Sequence, residues 1–383
     1  MKNYDFDNIV EQIKSMFPPQ KFLSLHEPQF RGNEKKYVLD AIDSTFVSSV
    51  GAYVDKFEEM MCEITGAKYA VAVVNGTNAL HLALLCAGVE RSHEVITQSL
   101  TFVATANAIS YIGAESIFVD VDRKTMGMSP IALESLLREI AEKRSDGAYN
   151  RTTGKKISAV VPMHTFGFPC DTKSIKRICE EWGIALVEDT AESLGSYVDG
   201  VHTGLDGLVS AFSFNGNKTV TAGGGGALIT NDPEVAKLAK HLSVQAKAPH
   251  PYEFRHDQIG YNYRMPNLNA ALVCAQLEQL PAYIQSKRKL AKEYAEFFKS
   301  IDLPFVEEPE GTEANYWLNC ILFEGKEQRN EFIEFSNKNL VMARPTWDLM
   351  HTLDMFKGCQ KGDMTNSKWI SDRLVNIPSS VRS

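Results

Sequence analysis

Three groups of polar residues in this 383-residue sequence stand where chemistry could be done. The first is Lys218, alone in a polar turn (Asn215-Gly216-Asn217) after the alternating Ser210, Phe212 and Phe214, and followed by four glycines, Gly223 to Gly226. An amine between a strand end and so permissive a backbone suggests a nucleophile with a bulky partner lying against the main chain. A solvated turn lysine beside a glycine-rich hairpin fits the same letters. The second is Asp189, in Val187-Glu188-Asp189-Thr190-Ala191-Glu192-Ser193, just past an apolar run. A carboxylate there could keep a heteroaromatic nitrogen protonated, or simply meet solvent at a strand end. The third is Asn75-Gly76-Thr77-Asn78, between an apolar run and a helical one. Free N–H groups at a helix start favour an anion, most often phosphate, although plain capping explains the same residues.

Taken in chain order these are a phosphate cradle, a counter-charge for a ring nitrogen and an amine for an aldehyde, the three grips that pyridoxal phosphate needs. Other readings fit less well. The GxGxxG fingerprint of a nicotinamide-dependent oxidoreductase is missing, and Gly216-Asn217-Lys218-Thr219 lacks the glycines of a phosphate-binding Walker loop. The seven cysteines show no CxxC or Cys/His ligand spacing, so no zinc site and no disulfide framework is signalled. Asp120 and Asp122 alternate at a strand end and give no sign of a metal. A non-catalytic sugar-nucleotide-binding module stays open on the residues alone.

The elements that must position these groups read as alternating strands and helices. Strands are expected at Tyr69–Val74, Glu94–Thr97, Ser116–Val121, Ser158–Met163 and Ile184–Glu188, with helices at Ala104–Ser110, Pro130–Glu142 and Asp171–Trp182 between them. That repetition predicts an α/β fold, a large mostly parallel sheet covered on both faces, with ligands beyond the carboxyl ends of the strands. Helices are expected before it at Asn3–Phe17, at Asn33–Phe46 and from Gly51. After Asp232 come a helix at Pro233–Leu242, a polar loop, and one long helix running from GYNYRMPNLNAAL to Ile301. A strand at Trp317–Phe323, a helix at Gln328–Lys338 and a strand near Val341 complete a smaller C-terminal α+β domain. We place the division at residues 1–255 and 256–383.

Hydrophobic content of 44% and charged content of 23% are those of a globular chain with a sizeable core. A net charge of −8 argues against nucleic acid or an anionic membrane as the main partner. No apolar run approaches a membrane span, and the N-terminal residues lack a secretory signal. The expected location is the cytoplasm, with reduced cysteines.

The blocks NGTNALHLAL, TFVATANAISYIGAESIFVDVD, VEDTAESLGS, SFNGNKTVTAGGGGALIT and GYNYRMPNLNAAL, spanning about Val73 to Leu272, resemble the DegT/DnrJ/EryC1/StrS family of sugar aminotransferases, of pyridoxal-phosphate fold type I. The stretches HEPQFRGNEKKYV, TFVSSVGAYVDKFEE and NYWLNCIL are similar to the legionaminic-acid-pathway type. The resemblance implies that Lys218 joins the cofactor's aldehyde and later moves a proton, and that Asp189 pairs with the ring nitrogen. It implies that Gly76, Thr77 and Ser213 hold the phosphate, that Phe102 stacks on the ring, and that Glu192 lies near the ring hydroxyl. Asn262 would reach the phosphate of a neighbouring subunit, so that a homodimer completes the sites. The implied reaction moves an amino group from L-glutamate to a nucleotide-linked keto sugar, a UDP-4-keto-6-deoxy-N-acetylhexosamine, in surface polysaccharide or nonulosonic acid biosynthesis. Two departures matter. Relatives often read GEGG where this chain has four glycines, and sugar dehydratases carry histidine at the lysine position, so Lys218 favours transamination. Arg344 and His351 are candidates for the nucleotide diphosphate, with a surface salt bridge the plain alternative for Arg344. His164 and the loop Ser48–Gly51 could face the cleft or pack structurally.

Overall fold

The computed structural model describes Lys2 and residues 4–382; Met1, Asn3 and Ser383 lie outside the described residues. Seven strands form the main path of a nine-stranded sheet. Their order across it is Tyr69–Val73, Gly226–Thr230, Val209–Ser213, Ala185–Asp189, Lys156–Val161, Glu94–Gln98 and Glu115–Val119. Six of these run the same way, and only Gly226–Thr230 is reversed, paired antiparallel on both sides. The expected mostly parallel α/β sheet is present. Parallel strands buried on two faces need apolar residues at both parities, and they have them. Val95 packs with Ala108 and Ile109 on one face, while Ile96 packs with Leu133 and Ile175 on the other.

The helices follow from caps and periodicity. Asn75, Ser129, Asp171 and Asp232 each accept a first-turn N–H and start helices at Gly76, Pro130, Thr172 and Pro233. Gly51 precedes the helix Ala52–Thr65, as expected. The helix expected from Asn3 runs from Phe6 to Ser15, and the one expected over Asn33–Phe46 runs from Glu34 to Asp43. Among the described residues no helix is long and apolar enough to cross a membrane.

Several expectations are corrected. The single long helix is two, Asn267–Glu278 and Leu280–Ser300, because Pro281 in the first turn of the second has no N–H to continue the first. The helix Pro130–Ile140 ends early, and Ala141–Arg144 turns back on Gly147–Asn150 as a hairpin at the sheet margin. The strand near Val341 is only a bridge to Leu23. The second small sheet consists of Asn319–Leu322, Leu374–Ile377 and Arg344–Pro345, all antiparallel, and its central strand went unread in the sequence.

Packing runs across the expected cut at 255/256. Ile9, Val10 and Ile13 of the first helix bury themselves among Phe323, Phe332 and Val375. Conversely Ala270, Val273 and Cys274 pack with Phe212 and Phe214 under the large sheet.

Candidate active site

A cavity of about 320 Å³ opens at the carboxyl ends of the parallel strands, where loops leave the sheet and side chains converge. Asp189 and Ser213 are the last residues of their strands, and Gly76 starts the helix that follows Tyr69–Val73. Lys218, Glu192, Thr77 and Phe102 line the same cavity. Seven of the ten expected site residues therefore meet in one place.

The glycine run has a different reason from the one expected. A Cβ on Gly226 would come within 2.4 Å of the Asn75 carbonyl, and one on Gly76 within 2.7 Å of the Ser213 Cβ. The bulky neighbour against Gly226 is the chain's own backbone. This close approach brings the Gly76 helix start against the end of Val209–Ser213, and Thr77 and Ser213 both line the cavity. The N–H groups of Gly76 and Thr77 have no acceptor inside the helix, leaving them available to an anion.

Asp189 is 2% exposed. Its Oδ2 accepts the Thr105 hydroxyl at 2.7 Å and its Oδ1 the Ala191 N–H at 3.1 Å. Burial pushes its carboxyl upward, opposed by those two bonds and by Lys218. Among the described residues no cation lies within ion-pair distance of it, so a buried carboxylate faces the cavity without a counter-charge. Lys218 Nζ lies 3.0 Å from Glu192 Oε1 and 3.8 Å from the centroid of the Trp317 ring. Burial pushes Glu192 up to about 7, against the pull of Lys218. Its second oxygen accepts the N–H of Phe166 at 2.8 Å. Phe166 holds φ at 56°, a left-handed backbone that a bulky side chain adopts only under constraint.

These features fit pyridoxal phosphate. The unpaired buried carboxylate suits a protonated ring nitrogen, the helix start with Thr77 and Ser213 suits a phosphate, and Lys218 suits the aldehyde. Phe102, 47% exposed at the start of Val103–Ile112, offers a ring face at the cavity wall.

Three expected residues lie elsewhere. Asn262 is exposed and accepts both Nε and Nη2 of Arg264. Arg344 is exposed on its short strand. His351 Nδ1 sits 2.6 Å from Ser99 Oγ and ties the C-terminal segment to the end of Glu94–Gln98. None of the three lines the cavity. His164 is fully buried against Glu188 at 3.0 Å, behind the strand. In the loop Ser48–Gly51, the Ser48 carbonyl accepts the Asn267 N–H. Asp120 accepts three bonds from Asn366 and Ser367. Sequence reasoning missed Asn215, Asn217, Met163, Trp317 and Trp347 in the lining. Asn215 and Asn217 flank the lysine and were within reach of it. The two tryptophans arrive from the C-terminal part with no local signal.

The comparisons agree with this geometry. Residues 28–382 match the family model described as the DegT/DnrJ/EryC1/StrS aminotransferase family. The chain is 37% identical over 360 residues to the GDP-perosamine synthase of Escherichia coli O157:H7, covering 94% of this chain and 93% of that one. It is 36% identical to the GDP-perosamine synthase of Vibrio cholerae, covering 93% and 94%. The aminotransferase TlmJ from Streptoalloteichus hindustanus superposes with a TM-score of 0.84 at 26% identity, over 93% of each chain. The chain belongs to the DegT/DnrJ/EryC1/StrS aminotransferase family and is a pyridoxal-phosphate-dependent enzyme of fold type I.

Proposed function

We propose that this aminotransferase moves an amino group from L-glutamate to a nucleotide-linked 4-keto-6-deoxy sugar, using the cavity around Lys218. The observation that carries the reading is the convergence in one cavity of an amine, an unpaired buried carboxylate and an open helix start. When bound, pyridoxal phosphate supplies an aldehyde carbon that takes up and passes on the amino group, and a ring that withdraws electrons from the reacting carbon.

The chain's own residues do the rest. Gly76 and Thr77 N–H groups, with the Thr77 and Ser213 hydroxyls, hold the phosphate at the helix start. Asp189 keeps the ring nitrogen protonated because an anion in a dry site favours a cation beside it. Phe102 covers one ring face. Lys218 would carry the proton between the substrate carbon and the cofactor's aldehyde carbon as a general base and acid. Glu192 holds the amine at 3.0 Å, and with its carboxyl raised to about 7 it can exchange that proton near neutral pH.

Two copies of the chain complete the sites, Asn262 of each reaching toward the phosphate held by the other. Its exposure, and that of the apolar Phe46, Val47 and Val50, support a covered face there. All seven cysteines are free, in keeping with a reducing cytoplasm.

Two nucleotide carriers are each favoured by an observation. The relatives named GDP-perosamine synthase support a GDP-linked sugar. The stretches similar to the legionaminic type support a UDP-linked N-acetylated sugar, with a place in surface polysaccharide or nonulosonic acid biosynthesis. Incubating the enzyme with glutamate and matched GDP-, UDP- and dTDP-keto sugars, and reading keto-acid release with the mass of the sugar product, separates them. One carrier is expected to lead in kcat/KM by at least about tenfold, or about 1.4 kcal/mol. No keto acid with any sugar would overturn the reading.

A further inference from the structure

Asn315-Tyr316-Trp317 lies far from Lys218 in sequence yet closes over its amine. The Trp317 ring centroid is 3.8 Å from Lys218 Nζ. The indole N–H donates to the carbonyl of Asn217, the residue before the lysine, at 2.7 Å. Trp317 thus touches Lys218 at both ends: the head group directly, the backbone through its neighbour.

The segment is itself tightly fixed. Asn315 Nδ2 donates to the carbonyls of Glu192 and Leu194 at 2.8 and 2.9 Å, and Asn315 Oδ1 accepts the Trp317 N–H at 2.7 Å. Asn315 is fully buried, as is Lys287, whose Nζ donates to the Trp317 carbonyl at 3.2 Å. Tyr316 holds φ at 48°, a left-handed conformation that a residue with a bulky side chain keeps only when its surroundings impose it. The clamp also reaches Glu192 through its backbone, so one segment sets both groups that flank the amine.

We infer that Trp317 is a positioning residue for Lys218. Its ring face fixes where the amine rests when the amine is free, and its N–H fixes the backbone from which the lysine side chain springs. The inference rests on the reading of Lys218 as the proton carrier. A lysine side chain is long and flexible, and a proton carrier must meet the reacting carbons from the same place in both half-reactions. Glu192 attracts the amine from one side, and a carboxylate does so over a range of directions. The ring adds a flat second boundary that also attracts a cation, leaving the amine one narrow place.

The test uses Trp317→Leu, which removes ring and N–H, and Trp317→Phe, which keeps a six-membered aromatic face and removes the N–H with the five-membered half of the indole. In Trp317→Leu kcat is expected to fall about 100-fold, the size of a displacement of roughly 1 Å at the reacting groups, with KM for the sugar within about twofold. Trp317→Phe is expected to recover most of that loss, with kcat about three- to tenfold below the parent, as one lost hydrogen bond allows. A second readout needs no turnover: acetic anhydride labelling of the cofactor-free full-length chain, followed by peptide mass. Lys218 is expected to label several-fold faster in Trp317→Leu than in the parent, with the other lysines unchanged. Unchanged kcat in either variant would overturn the inference. So would a raised sugar KM at constant kcat, which makes Trp317 a sugar platform, or unchanged labelling in a folded Trp317→Leu. If Trp317→Leu does not fold, Trp317→Phe decides alone: a lower kcat at constant KM supports the inference. Absence of keto-acid release by the parent enzyme would sink the functional reading instead, and the labelling still decides the placement of the amine.

Discussion

Glu188 and Asp189 are neighbours on one strand, and the alternation of a strand sends them into opposite environments. Behind the strand, Glu188 meets His164 at 3.0 Å with both side chains fully buried. Every valence of that pair is used. Glu188 takes the N–H groups of Gly204, Asp206 and Gly207, and His164 Nδ1 takes that of Cys170. With Nδ1 accepting the Cys170 N–H, the imidazole carries its proton on Nε2 and donates it to Glu188, whose carboxyl that bond and the loop amides hold below its ordinary value against burial. In front of the strand, Asp189 has two neutral donors and no cation, and Glu192 shares Lys218 with an open cavity. A satisfied buried hydrogen-bonded pair fixes a loop. A buried carboxylate without a cation, in one cavity with an amine, is set up to receive something.

The largest expected effect lies in front. Lys218→Ala removes both the covalent anchor and the proton carrier, and kcat is expected to drop at least about 1000-fold, with the coloured cofactor lost on gel filtration. A variant that keeps both colour and turnover contradicts the assignment.

The neighbouring carboxylates give the sharpest contrast. Asp189→Asn is expected to lower kcat about 100-fold while leaving the urea midpoint of the cofactor-free protein unchanged or raised, because a buried charge without a partner is removed. Glu188→Gln is expected to do the reverse, costing about 1–3 kcal/mol of stability because the amide NH2 leaves a buried N–H of the loop or of His164 without its acceptor, with kcat per folded molecule nearly unchanged. If the two variants traded phenotypes, the division between the faces would be wrong.

Lys287 extends the comparison to a fully buried amine, whose Nζ donates to the carbonyls of Trp317 and Ser379. Burial pushes it down to about 7 from an ordinary 10.5. Between those values the unfolded chain binds the proton more than the folded one, so its contribution raises stability as pH rises, by up to about 1.4 kcal/mol per pH unit. Below about 7 both states are protonated and the contribution is flat. Urea titrations of Lys287→Met are expected to lose this slope between pH 7 and 10; a slope equal to the parent's would contradict the depressed amine.

The smallest effect is expected outside the cavity. Arg344→Ala should raise KM for the nucleotide sugar by several-fold at most, as loss of one exposed charge contact does, and leave the glutamate half-reaction unchanged. A change in the glutamate half-reaction would place Arg344 at the reacting centre.

What could be read in the sequence follows from the same geometry. Lys218, Asp189, Gly76 and Ser213 sit where an apolar period breaks at a polar residue, and in a parallel sheet such breaks gather at one edge. Lys218, Asp189 and Gly76 were therefore legible locally, Ser213 came only through the family resemblance, and the fold supplied their meeting. Trp317 and Trp347 were not legible, because an isolated aromatic residue in the C-terminal part reads as core, and their arrival in the cavity depends on how that part docks. Leu374–Ile377 was missed for a related reason: a four-residue central strand carries too short a pattern to stand out. The glycine run was seen, but its reason was not, since the close approach of Gly226 to Asn75 joins segments some 150 residues apart.

The most direct test is to reduce the cofactor-loaded enzyme with borohydride, digest it and map the peptides by mass. The account predicts one cofactor-derived mass, on the peptide carrying Lys218, and its disappearance when glutamate is added before reduction. The same mass on another lysine such as Lys287, or none on any lysine while turnover persists, would contradict it.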